Sequence, residues 1–198
     1  MFKKAVVAAV LLAFSPAINA QDSAEEVGLR GELIYGDKSA KIEVIEYGSF
    51  TCPHCAHFAT DVLPKLKAEY VDTGKVRFVF RNFVRDRYDM AVAVTSRCTE
   101  GTDTAKAMTE TFFAQQKEWM TSDNPYEQMS SIASDAGVSE ESLSTCISDR
   151  GLQEHLIEMR NLGIERYQIN AVPTIIVNGA KIDAHSYDAL KAAIDAAQ

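Results

Sequence analysis

Two cysteines stand two residues apart in Ser49-Phe50-Thr51-Cys52-Pro53-His54-Cys55, and no other pair in the chain has that spacing. Such a pair can close a disulfide on itself and exchange it with other thiols, or it can supply half of a metal site. A zinc site of the second kind needs another closely spaced pair of cysteines or histidines. The remaining cysteines, Cys98 and Cys146, are isolated, and His54 lies inside the Cys-x-x-Cys turn, badly placed to share a metal with both sulfurs. The spacing therefore favours redox chemistry, with the thiolate as the attacking species. A soft thiolate site for Cu(I) is the metal alternative.

The elements around the pair support the redox reading. Ile42-Glu43-Val44-Ile45-Glu46-Tyr47 has the β-branched and aromatic content of a strand. Phe58, Val62, Leu66 and Tyr70 recur every four residues, which predicts a helix from Ala56 to Tyr70. Cys52 then sits at a helix N-terminus, where unpaired N–H groups and the helix dipole favour negative charge. Pro53 fits the first helical turn because it has no N–H to lose. His54, when protonated, adds positive charge beside the sulfur. Both effects are expected to lower the Cys52 pKa.

The first twenty residues have a different composition. Lys3 and Lys4 precede the apolar run Ala5 to Phe14, Pro16 breaks it, and Ile18-Asn19-Ala20 ends in a small residue. The pattern predicts a cleaved secretory signal peptide over 1–20 and hence an exported, periplasmic protein. No other apolar run is long enough to cross a bilayer as a helix. Cleavage would remove two lysines and no acid, leaving 18 basic against 28 acidic side chains, a net charge of −10. That argues against a nucleic-acid or anionic-membrane surface. In an oxidising compartment four cysteines can pair fully, with three possible connectivities.

The rest of the 198 residues reads as alternating strands and helices with one long helical interruption. Leu33-Ile34-Tyr35 is a short edge strand. Pro64 should kink the helix after Cys55 or end it at Leu63. Lys75 to Val84 alternates apolar residues on both faces and reads as a mostly buried strand, its arginines being strand-face charges. Five helices follow, near 90–98, 104–116, 125–136, 140–148 and 152–167. The last places Leu152, Leu156, Met159 and Leu162 on one face, and Trp119, Phe112 and Phe113 are core. Strands resume at Val172 to Val177, Asn178-Gly179 gives a tight hairpin, and Ser186 caps a final helix.

Strand, Cys-Pro-His-Cys, helix, strand, helical insertion, Val-Pro before a hairpin, and a last helix form the order of the thioredoxin fold. Over residues 41–198 the chain resembles the DsbA family of periplasmic disulfide oxidases. The resemblance implies an α/β thioredoxin domain, residues 21–85 and 168–198, carrying an all-helical domain over 86–167. It implies Cys52 as the nucleophile, Cys55 as the resolving cysteine, and Pro53 and His54 as the residues that tune them. Pro173 matches the family's cis-proline facing the sulfurs, and Val172 the substrate-binding residue before it. Glu46 matches a buried acid beneath the second cysteine, and Cys98–Cys146 the extra disulfide of a subset of members. The implied partners are reduced or unfolded exported proteins and a DsbB-like, quinone-linked membrane oxidase, with a monomeric enzyme and no cofactor or metal. No extra N-terminal dimerisation domain is visible, which favours an oxidase over a reductase or isomerase of the same fold.

Overall fold

The computed structural model of the chain describes residues 30–99, 101–184 and 186–198. The expected signal peptide lies outside the described residues. Among the described residues five strands form one sheet in the order β1-β3-β2-β4-β5. They are β1 Leu33–Tyr35, β2 Ile42–Gly48, β3 Val76–Asn82, β4 Thr174–Val177 and β5 Ala180–Ile182. β2 and β3 pair parallel and every other pair is antiparallel. A parallel pair needs a crossover connection. It is supplied by α1, which opens as Pro53–His57 and continues through Phe58–Val62, Leu63–Leu66 and Lys67–Val71.

Pro64 neither ends α1 nor breaks it at Leu63. Two π-helical turns, Phe58–Val62 and Lys67–Val71, flank it, and the Leu63 N–H donates to the Phe58 carbonyl in the wide i→i−5 pattern. The wide turn makes room for a ring that would clash with the carbonyl four residues back in a regular helix.

β2 is buried along nearly its whole length because both faces of the sheet are covered. Val44, Phe78 and Phe80 face α1, with the Phe58 and Phe78 rings 6.1 Å apart. Leu190 and Ile194 of the last helix, α8 Tyr187–Ala196, join the same core. Ile45, Tyr47, Val79, Phe83 and Ile176 form a second cluster on the opposite face. Among the described residues six helices lie between β3 and β4. They are α2 Arg87–Thr95, α3 Thr102–Ala114, α4 Gln116–Met120, α5 Pro125–Asp135, α6 Glu140–Ile147 and α7 Arg150–Tyr167. The expected 104–116 helix thus stops at Ala114, and a break at Gln115 starts the short α4.

α7 covers the second sheet face. Its buried side is Leu152, Leu156, Met159 and Gly163, while Leu162 is 54% exposed. The expectation that Leu162 faces the core fails because Gly163 is the residue laid on the Tyr47 ring. A Cβ at Gly163 would lie 2.6 Å from Tyr47 Cε1. Cys98 lies just beyond α2, its N–H on the Thr95 carbonyl, and bonds to Cys146 on α6 with an S–S distance of 2.00 Å. The β3 arginines are bonded within the fold: Arg77 pairs with Glu43 at 2.8 Å, and Arg81 pairs with Glu32 and donates to the Tyr47 hydroxyl at 2.9 Å. At the hairpin Asn178 and Gly179 have φ of 46° and 82°, the left-handed pair that a two-residue turn requires.

Candidate active site at the N-terminus of the crossover helix

Cys52 is the N-cap of α1, with extended backbone and Pro53 in the first turn. Its carbonyl accepts the Cys55 and Ala56 N–H groups. Both cysteines are free thiols, 5% and 0% exposed. Cys52 is thus the less buried of the two and Cys55 is fully enclosed. The Ser49 N–H donates to the Cys55 Sγ at 3.4 Å.

The two sulfurs are driven apart in acidity. The Cys55 thiol hydrogen-bonds to Cys52, and the Cys55 and His54 backbone amides point at the same sulfur. With attraction from Arg85 these outweigh burial and lower the Cys52 pKa to about 5. Giving its hydrogen bond to Cys52, together with burial, pushes the Cys55 thiol far up, and Glu46 adds to the rise. Hydrogen bonding to the charged form of one partner is thus what keeps the other neutral. The sequence expected His54 to supply the positive charge. The His54 backbone amide also points at the sulfur, and a further cation is Arg85, 33 positions beyond Cys52, between β3 and α2.

Glu46 is 1% exposed on β2, opposite Phe80 and Ile175. It faces the α1 side of the sheet, and burial, then the Cys52 charge, raises its pKa well above the usual carboxylate range. Gly48 gives it room: a Cβ there would stand 3.0 Å from Glu46 Oε1 and 2.7 Å from Phe80 Cε2.

Val172 and Pro173 precede β4 and are half-buried, and the peptide bond between them is cis. The Val172 carbonyl oxygen lies 3.4 Å from Cys52 Sγ. A cavity of about 50 Å³ between the start of α1 and Pro173 is lined by His54, His57, Phe58, Val62, Pro173 and Ala184. The structure therefore brings Glu46, Cys52, Pro53, His54, Cys55, Val172 and Pro173 to one place. The Cys98–Cys146 disulfide stands apart from them, within the helical insertion.

Asp89 and Gln116 were not singled out in the sequence, yet both reach the active-site turn. Asp89 accepts hydrogen bonds from Ser49 Oγ and the Phe50 N–H. Gln116 Nε2 donates to the Phe50 and Cys52 carbonyls. The only local signal was Asp86-x-x-Asp89, which reads as a helix cap. Asp86 does cap α2 through the Tyr88 and Asp89 N–H groups.

Comparison with known proteins places this geometry in a family. The thioredoxin family model matches residues 29–196. A Rickettsia bellii protein that carries the name protein-disulfide oxidoreductase is 32% identical over 166 residues, 84% of this chain and 64% of its own length. The chain thus spans less than two thirds of that relative. Disulfide bond formation protein D of Bacillus subtilis (strain 168) is 26% identical, over 84% of this chain and 77% of its own. The crystal structure of Wolbachia pipientis alpha-DsbA1 superposes with a TM-score of 0.77 at 26% identity, over 84% of this chain and 90% of the other. From its sheet order, its Cys-Pro-His-Cys helix start, its helical insertion and these relatives, the chain belongs to the thioredoxin family, in its DsbA-like form.

Proposed function

We propose that this protein is a thiol:disulfide oxidoreductase that donates a Cys52–Cys55 disulfide to newly exported proteins. The observation that carries the reading is the opposed acidity of two adjacent thiols: the hydrogen bond from Cys55 and the turn amides lower the Cys52 pKa to about 5, and the Cys55 thiol is pushed far up. Stabilising the reduced pair makes its disulfide the stronger oxidant.

A substrate thiolate attacks Cys52 Sγ of the oxidised pair. A bond forms between the substrate sulfur and Cys52, the Cys52–Cys55 bond breaks, and Cys55 leaves and takes up a proton. The substrate's second thiolate then attacks the first, and Cys52 leaves as the stabilised thiolate. Two electrons pass from the substrate dithiol to the enzyme, and the substrate gains a disulfide. The Val172 backbone before Pro173 offers an edge to which an extended substrate can pair as an added strand, with little demand on its side chains. Glu46, beside Cys55, is a candidate for handling the proton that Cys55 gains or loses.

Removal of a signal peptide over 1–20 delivers the enzyme to the periplasm, where it works as a monomer. A quinone-linked membrane oxidase returns the pair to the disulfide. The thioredoxin domain, 21–85 and 168–198, carries the chemistry, and the insertion, 86–167, frames it.

Trapping tests the reading. Cys55→Ser leaves no internal thiol to release a substrate from Cys52, so exported proteins should be recovered from it as reducible adducts, and Cys52→Ser should yield none. Adducts on Cys52→Ser instead would reverse the roles. The purified enzyme should also oxidise reduced unfolded chains faster than it recovers scrambled ones. The opposite ranking would make it an isomerase.

A further inference from the structure

The segment that presents the cysteines is gripped from outside the thioredoxin fold. The Phe50 peptide is held at both ends: its N–H donates to Asp89 Oδ1 at 2.8 Å, and its carbonyl accepts from Gln116 Nε2 at 2.6 Å. The same Nε2 donates to the Cys52 carbonyl at 3.0 Å. Asp89 Oδ2 accepts from Ser49 Oγ at 2.6 Å and from the Arg85 N–H at 2.9 Å. Asp89 is in the first turn of α2 and Gln116 is the first residue of α4, so both belong to the insertion. The Phe50 ring is clamped too, stacked on Phe113 of α3 at 4.6 Å.

Asp89 is 1% exposed. An acidic group in such a place is costly unless it is well bonded, and three donors converge on this one. Each leads to a working part of the site. Ser49 carries the N–H that points at Cys55 Sγ. Phe50 leads into Cys52, and Arg85 carries the charge that favours the Cys52 thiolate.

We propose that Asp89 is a positioning residue for the cysteine pair: with Gln116 it locks Ser49, Phe50 and Arg85 in the places from which they act on Cys52 and Cys55. The insertion thereby sets the chemistry of the site as well as enclosing it. This rests on the thiol:disulfide reading above.

The sign of one titration separates positioning from two simpler roles. Burial raises the Asp89 pKa to about 6, so replacing its carboxyl by a neutral amide would, by charge alone, leave the Cys52 midpoint unchanged or lower it. Loss of positioning does the reverse, because Arg85 and the turn amides are no longer held against the sulfur. A residue needed only for folding would lower the melting temperature and leave the thiolate midpoint unchanged. The other groups that bear on Cys52, namely Cys55, the His54 amide and Glu46, are the same in variant and wild type.

The test is thiolate absorbance of the full-length reduced protein against pH, with equilibration against glutathione as a second readout. Asp89→Asn should raise the Cys52 midpoint by about one pH unit, a tenfold loss of thiolate at a given acid pH, and make the pair less oxidising. Gln116→Met, which keeps the bulk and removes the donors, should move it the same way by less, and serves if Asp89→Asn does not fold. An unchanged or lowered midpoint in the folded variants overturns the proposal. A wild-type midpoint near that of free cysteine would instead overturn the functional reading itself.

Discussion

The Sγ of Cys52 lies 3.4 Å from the carbonyl oxygen of Val172, across 120 positions of sequence. A protonated Cys52 can donate to that oxygen and a thiolate cannot, so this neighbour alone favours the thiol. The low pKa of Cys52 arises against it, from the Cys55 thiol, the first-turn amides and Arg85.

The first step in the titration of the reduced pair should therefore fall near pH 5. The sign follows from linkage. A depressed pKa stabilises the reduced fold fully above the unfolded cysteine value of about 8.5, and the effect is lost as pH falls through the folded value. Cys55→Ala, which removes the largest cause, should raise the midpoint more than Arg85→Gln does. Thiolate absorbance checks the order, and a larger effect from Arg85 would reverse the assignment of causes.

Glu46 should behave in the opposite sense. Its folded pKa is raised, so its favourable contribution is present below the unfolded value of about 4.3 and is lost as pH rises through the folded one. Glu46→Leu should accordingly gain on wild type as pH rises, reaching roughly 1–3 kcal/mol in alkaline buffer. Denaturant melts of the reduced proteins at several pH values measure this. A difference independent of pH would show that Glu46 is not titrating in the fold.

Cys98 and Cys146 close a loop with a sequence separation of 48. Replacing both by Ala should cost on the order of 4 kcal/mol from the chain-entropy relation, read as a shift in the denaturant midpoint. Peptide mapping of unreduced protein should find these two residues linked. A double variant as stable as wild type would mean that the loop is already ordered in the unfolded chain.

Gly163→Ala should destabilise the protein although alanine is the better helix former. The added methyl would sit 2.6 Å from Tyr47 Cε1, so α7 must lift from the sheet. Overpacking of this kind costs about 1–3 kcal/mol, against a helix-propensity gain of up to about 1 kcal/mol. A thermal melt decides it, and an unchanged midpoint would mean that the Tyr47 ring turns aside freely.

Local chemistry and periodicity made much of this protein readable from its residues. Cys52-Pro53-His54-Cys55 at a strand-to-helix junction marked out the candidate site, because spacing and a helix N-terminus are properties of a short stretch. The Asn178-Gly179 hairpin and the Ser186 cap are equally local. Tertiary structure decided what depends on partners distant in sequence. Leu162 fits the apolar face of α7 by spacing, but the Tyr47 ring selects Gly163. Pro64 alone implies a break, but the π turns beside it carry α1 onward against the sheet. Arg85, distant in sequence, adds its charge at Cys52, and the turn is held by Asp89 and Gln116. Hydrogen bonds and charges act through distance in space, and residues 37 and 64 positions beyond Cys52 become its neighbours only when the insertion folds back over the sheet.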